Sequence, residues 1–184
     1  MKVLKWIVTV IIALLVIFLL IGVFVPQFSY RSKITVNKPV EHAFAVFTNP
    51  DLMSNWMLGL QSIETVEGEP ETVGSKFKFS FVQNGEHIEI VETITEFVKN
   101  HKYSIDIDAE PMIAHTEISF NAIDSNQTEI IADTEVNGKN MLWRSVLALS
   151  QSYFQENSDI QYQQLADLIE STPVVKETAD TESE

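Results

Sequence analysis

The strongest pattern in the chain is the run from Trp6 to Val25, WIVTVIIALLVIFLLIGVFV, which carries no charge; Thr9 is its polar residue and Gly22 its glycine. About 20 apolar residues at ~1.5 Å rise cover a hydrocarbon core of ~30 Å. A helix in a soluble core keeps a polar face, and this run is apolar all round. Pro26 closes it, because proline cannot continue the ladder of helix hydrogen bonds. The pattern predicts a short tail over 1–5, a transmembrane helix over 6–25 and a linker over 26–33. A cleavable signal peptide has a shorter apolar stretch and a small-x-small site. Here Pro26-Gln27-Phe28-Ser29-Tyr30 comes next with no Ala-x-Ala, so a retained anchor is expected.

Beyond the linker the periodicity changes several times. Ile34 and Val36 share one face of a first strand. Asn37-Lys38-Pro39 ends it, and Val40, Ala43, Phe44 and Phe47 then recur at helical spacing after a proline suited to a first turn. Asn49-Pro50-Asp51 breaks that helix, and Asn49 or Asp51 can cap a second one reaching to about Trp56. From Leu60 the period is two. Lys76-Phe77-Lys78-Phe79-Ser80-Phe81 puts three phenylalanines on one face, as a half-buried antiparallel strand requires. Asn84-Gly85 suits a type I′ hairpin turn. Strands are expected over His87–Phe97, from Tyr103 to Ile107, over Met112–Ile123 and over Thr128–Val136. A helical stripe then returns with Leu142, Val146, Leu149, Tyr153, Ile160, Leu165 and Leu168. No proline or glycine interrupts Lys139–Ser171, so one long helix is expected, with a bend or a solvent contact near Glu156-Asn157. The tail from 172 to 184 is polar and acidic, a composition that favours disorder.

Charge narrows the range of partners. Lys2 and Lys5 precede the apolar run, leaving ten basic residues against all 26 acidic ones, a net −16 for the part beyond it. Such a surface repels phosphate backbones, so nucleic acid is not an expected partner. The absence of cysteine excludes disulfides, thiolate catalysis and cysteine-ligated metal. Lys2 and Lys5 on one flank of the run are matched by Arg31, Lys33 and Lys38 on the other, so charge gives little contrast. The short tail before a long domain resembles a signal anchor, and the domain is expected on the extracytoplasmic side. Composition leaves the oligomeric state open.

A strand, two small helices, a long antiparallel meander and a long C-terminal helix is the helix-grip order of elements, an α+β fold. The segment ITVNKPVEHAFAVFTNPDLMSNW, Ile34 to Trp56, resembles the START-like (SRPBCC) superfamily near its polyketide cyclase/dehydrase and lipid-transport branch. Pro39, Glu41, Phe44, Asp51 and Trp56 match the pattern of that segment, and Gly74-Ser75-Lys76-Phe77 matches the entry to the family's third strand. The resemblance covers about Tyr30 to Ser171. It implies a domain over 34–171 in which a curved sheet of about seven strands wraps the long helix around an apolar cavity. Members of the superfamily hold lipids, sterols, polyketides or aromatic compounds there; some are enzymes and many are carriers.

No catalytic constellation, cofactor motif or metal motif stands out. His42, His87, His101 and His115 have no partner at ligand spacing, and no phosphate loop or nucleophile motif occurs. Glu92 and Glu96 fall in phase with Ile88, Ile90 and Ile94. An inward Glu92 would be a buried acid, whereas a β-bulge after Val91 would turn both glutamates outward, and a bulge or an edge position is the expectation. Glu156 is a weaker candidate. The cavity wall is expected from Trp56, Phe77, Phe79, Phe81, Tyr103, Ile105, Ile107, Ile118, Phe120 and Ile130, with Thr116 and Thr134 as small polar members. Leu142, Val146, Leu149 and Tyr153 are expected to face them from the helix. The leading expectation is a membrane-tethered domain that binds or transfers a hydrophobic small molecule, with lipid among the candidates. The alternatives are a cyclase- or hydratase-type enzyme using a buried Glu92 or Tyr103, and a ligand-free interaction module of the cell envelope.

Overall fold

The computed structural model describes residues 2–83 and 85–174. The elements run α1 (Lys2–Phe24), β1 (Gln27–Val36), α2 (Val40–Thr48), α3 (Pro50–Met53), β2 (Leu60–Glu67), β3 (Lys76–Gln83), β4 (Glu86–Val98), β5 (Lys102–Ala109), β6 (Met112–Asp124), β7 (Gln127–Gly138), α4 (Met141–Leu149) and α5 (Gln151–Ser171). Seven strands form one antiparallel sheet in the order β1-β7-β6-β5-β4-β3-β2. Six are consecutive neighbours, and β1 returns to pair with β7. The sheet curves around α5, which is the helix-grip architecture. Asn84, half of the expected hairpin turn, and most of the acidic tail lie outside the described residues.

α1 is long and apolar enough to cross a membrane, with a mean hydropathy of 3.4 over its best window. The segment expected as a linker is instead almost wholly strand. β1 starts at Gln27, so only Val25 and Pro26 separate it from α1. Phe28, Tyr30, Ser32, Ile34 and Val36 take its inner face in strict alternation. Ser32 sits in the middle of that face because α5 approaches closely there. Its hydroxyl donates to Asp159 Oδ1 at 2.6 Å and lies 2.8 Å from Ser158 Oγ.

α2 forms as its spacing predicts and buries Ala43, Phe44, Val46 and Phe47. The Asn49 side chain, rather than Asp51, accepts from the Asp51 N–H and caps α3. The main core gathers Phe44, Phe47, Phe120, Ile130, Tyr162, Leu165 and Ile169 between α2, α5 and the sheet. The outer sheet face is charged. Lys102 pairs with Glu96 and Glu117, each at 2.9 Å, and Arg31 with Asp133 at 2.6 Å.

The C-terminal helix is two helices. The break falls at Ser150 (φ −102°, ψ 7°) and not at Glu156-Asn157. Two serines bond back to carbonyls four residues earlier, Ser145 Oγ to Met141 at 3.1 Å and Ser150 Oγ to Val146 at 2.9 Å. Such back-bonding competes with the main-chain ladder and bends helices. The kink rotates the phase of the residues beyond it. The stripe of Leu142, Val146, Leu149, Tyr153 and Ile160 therefore runs along the outside, while Leu147, Phe154, Tyr162, Leu165 and Ile169 turn inward. α4 packs against α1 on one side and, through Leu147, against β1, β6 and β7 on another.

α4 is capped by Asn140, whose Oδ1 accepts from the Trp143 N–H at 3.0 Å. Asn140→Ala is expected to cost ~1 kcal/mol, read as a lowered midpoint of thermal unfolding.

Candidate functional site

A cavity of about 220 Å³ lies between the inner sheet face and α5. β5 supplies Tyr103, Ile105 and Ile107, β6 supplies Thr116 and Ile118, and β7 supplies Thr134. Phe79 comes from β3, Phe47 from α2 and Tyr30 from β1. Met53, Trp56 and Met57 close one side; Phe154, Asn157, Ser158, Gln161 and Tyr162 line the helix side. A second space of about 180 Å³ adjoins it, sharing Met53, Phe79 and Tyr103 and adding Phe77. The wall is strongly aromatic. Phe47 meets Tyr103 edge-on with ring centroids 5.4 Å apart, and lies 5.5 Å from Trp56.

One ionisable carboxyl belongs to the wall of the larger space, that of Glu92. Glu92 pairs in register with Phe77 and Ile107 and points inward with Ile90 and Ile94; it is 8% exposed. The bulge expected from the sequence does exist, but farther along the strand, between Ile94 and Glu96. It turns Glu96 to the surface, where Lys102 meets it, and leaves Glu92 inside. Among the described residues no side chain hydrogen-bonds the Glu92 carboxyl. Burial pushes its pKa from 4.5 up to about 8, because desolvation penalises the charged form. Burial also raises the pKa of Tyr103 and Tyr162, with the charge of Glu92 adding to both. All three side chains are therefore protonated donors near neutral pH.

A second buried donor faces no partner. The indole Nε1 of Trp56, 5% exposed, makes no hydrogen bond among the described residues. Thr116 and Thr134, expected as small polar members of the wall, satisfy each other at 3.0 Å between their hydroxyls.

The expected wall residues divide into three groups. Trp56, Phe79, Tyr103, Ile105, Ile107, Thr116, Ile118 and Thr134 border the main cavity, and Phe77 the adjoining one. Phe120 and Ile130 are sealed in the solid core, and Phe81 stacks on Phe79 away from the cavity. Leu142, Leu149 and Tyr153 are 53%, 65% and 50% exposed and Val146 is half-buried, and none of the four borders the cavity. Sequence reasoning missed Tyr30, Phe47, Phe154 and Tyr162. Tyr30 and Phe154 were recoverable from the period-2 pattern of Phe28-Ser29-Tyr30 and from a helix phase restarted at Ser150. Of the histidines, His115 pairs with Asp106 at 2.7 Å on the outer face, and His42 lies 3.3 Å from the Ile169 carbonyl, outside the cavity. Glu156 is exposed.

A curved seven-stranded sheet gripping a C-terminal helix around an aromatic cavity defines a START-like, helix-grip protein. The chain belongs to the family described as polyketide cyclase / dehydrase and lipid transport, which matches residues 27–170. No curated protein matches it. Solved structures share the fold at low identity. The Zhui aromatase/cyclase from Streptomyces sp. R1128 superposes with a TM-score of 0.66 at 11% identity, over 78% of this chain and 94% of that one. Truncated norcoclaurine synthase from Thalictrum flavum gives 0.60 at 11% identity, over 80% and 96%. The protein TTHA0849 from Thermus thermophilus gives 0.64 at 14%, over 77% and 97%.

Proposed function

We propose that this chain is a membrane-anchored binding protein for a compact hydrophobic molecule that carries a hydrogen-bond acceptor. The observation that carries this reading is the aromatic cavity whose wall holds the desolvated Glu92 carboxyl and the Trp56 N–H, the latter without a partner among the described residues. A buried polar group without a partner costs ~1–3 kcal/mol, and an acceptor on a ligand would recover that cost. The volume sets the size. A dry cavity of roughly 150 Å³ holds a benzene ring, so about 220 Å³ with an adjoining 180 Å³ suits a small fused-ring or short-chain molecule rather than a whole diacyl lipid. The relatives named above as an aromatase/cyclase and a norcoclaurine synthase support an aromatic or polycyclic ligand. α1 supplies the anchor. The very short tail ahead of α1, followed by a long domain as in a signal anchor, supports a domain on the side away from the cytoplasm.

Binding can be tested on the whole chain. Full-length protein in detergent is titrated with the neutral fluorophore N-phenyl-1-naphthylamine and extracted for mass spectrometry. Saturable binding is expected, and Ile107→Trp, which fills the cavity, should weaken it by at least about tenfold, or ~1.4 kcal/mol. Absence of both probe binding and a co-purified apolar molecule would reject the reading.

A second reading has an observation of its own. A carboxyl with a pKa near 8 beside two tyrosines is suited to general acid–base work on a bound ring or enone. Wild-type protein converting its co-purified molecule to a product of new mass, with Glu92→Gln binding it and leaving it unchanged, would establish an enzyme.

A further inference from the structure

α4 has the periodicity of an inward-facing helix but turns its apolar stripe outward. Met141, Leu142 and Leu149 are 45%, 53% and 65% exposed, with Tyr153 continuing the stripe at 50%. Its other side is occupied. Leu147 packs with Phe28, Ala114 and Val136, and the Arg144 guanidinium donates to the Gly138 carbonyl at 3.0 Å, which takes the one charge of α4 off the exposed face. What lies beside the stripe is α1. Gly22 is buried there, its N–H 3.0 Å from Ser145 Oγ. A Cβ on Gly22 would come within 2.4 Å of the Met141 carbonyl oxygen and 2.5 Å of Ser145 Oγ. The two backbones meet through a glycine and a serine, the small-residue contact by which helices approach within membranes.

The position of this contact sets a depth. Gly22 lies in the last turn of α1, and the residues of α1 that lose exposure to the domain begin at Phe18. From Phe18 to Val25 is ~10 Å at 1.5 Å per residue. The apolar run is long enough to fill the hydrocarbon core and no longer, so α4 is level with the outermost ~10 Å of that core. Interfacial helices bury their apolar faces to about that depth, ~5–10 Å. Charge agrees with this placement. No Asp or Glu occurs from Asn140 to Gln155, in a chain with 26 of them.

We propose that α4 is a second membrane element: its stripe of Leu142, Val146, Leu149 and Tyr153 is immersed in the acyl–headgroup boundary beside α1. The occupant of the stripe is lipid, because the stripe continues the lipid-facing surface of α1. The proposal rests on α1 being a retained anchor. With α1 and α4 both seated, the domain stands on the membrane in one orientation, with the sheet end that holds Gln27, Met112 and Gly138 toward the lipid.

The chain contains no cysteine, so one introduced thiol reports one site. Full-length Leu149→Cys, Leu142→Cys and, as a control on the outer face of α5, Gln163→Cys are labelled with a nitrobenzoxadiazole fluorophore. Each is reconstituted into phosphatidylcholine vesicles with and without dibrominated acyl chains. Quenching of about twofold or more is expected at 142 and 149, with little at 163. Vesicle-bound protein with unquenched labels at 142 and 149 would overturn the proposal while leaving the anchor in place. Disulfide-linked dimers of unlabelled Leu149→Cys would overturn it in favour of a second copy as the occupant. Protein that fails to float with the vesicles would remove the anchor reading, and this one with it.

Discussion

Glu92→Gln is expected to gain stability over the wild type as the pH rises from about 4.5 to about 8. The folded protein holds the Glu92 proton up to a pKa of about 8, while the unfolded chain releases it near 4.5. Between those values the unfolded state binds fewer protons, so wild-type stability falls with increasing pH. Below 4.5 the carboxyl is protonated in both states and contributes no pH dependence. Above 8 the full cost of an ionised, desolvated carboxyl is present. Each unit of separation is worth ~1.4 kcal/mol, so the accumulated difference is several kcal/mol. Glutamine keeps the shape and a donor but cannot ionise, and its unfolding midpoint should decline less than that of the wild type across this window, the remaining pH dependence being that of the groups the two proteins share. Parallel curves for the two proteins from about pH 4 to about pH 9 would show that Glu92 is not desolvated in the folded domain.

Phe120→Ala is the other large effect. Phe120 is 1% exposed and lies edge-on to Phe44 and Phe47, with centroids 5.0 and 5.3 Å away. Truncating a buried phenylalanine costs ~3–5 kcal/mol, and this site belongs at the upper end. Both neighbouring rings are held by α2, and Phe44 is also packed edge-on against Phe97, so the hole has little freedom to collapse. In a domain of this size ~1 kcal/mol moves the melting midpoint by about 2–4 °C, so a drop of roughly 10 °C or more is expected. Phe81→Ala, on a half-buried ring near the sheet edge, should lose much less. Equal losses at the two positions would show that the aromatic cluster around Phe120 is not the centre of the core.

The sheet was legible because its strands are amphipathic in the simplest way. Lys76 to Phe81 alternates polar residue and ring, and the pairing of Phe79 with Ile90 and of Lys78 with Glu64 agrees with that alternation. α2 was legible because Pro39 and Asn49 bound it and its apolar residues recur at helical spacing. The cavity was harder to read, since an inward apolar residue looks the same whether it fills a core or lines a space. Phe79 and Phe120 both occupy inward positions; Phe79 borders the cavity and Phe120 does not, and period alone could not separate them.

Three features were hidden for identifiable reasons. The break at Ser150 involves neither glycine nor proline, and serine back-bonding to Val146 leaves no mark in a hydrophobic pattern. That break separates the phase of Leu142, Val146 and Leu149 from that of α5, so a single stripe drawn through Ser150 joins residues that do not share an inner face. The side taken by Glu92 depended on where a bulge falls, and a shift of a few residues decides whether a carboxyl is in water or in the cavity. The start of β1 was obscured by its small and polar members. Ser32 looks like a linker residue until the Asp159 carboxylate that it meets on α5 is known.

The junction between α1 and β1 limits what the protein can do with a ligand. Val25 and Pro26 are the whole connection, and two extended residues reach ~7 Å. A carrier that ferries cargo between two membranes needs a tether long enough to cross the gap. For a chain anchored as proposed, the domain has no such travel. Its exchange is confined to the leaflet at its foot or to a partner that comes within touching distance, which makes it a fixed station rather than a shuttle.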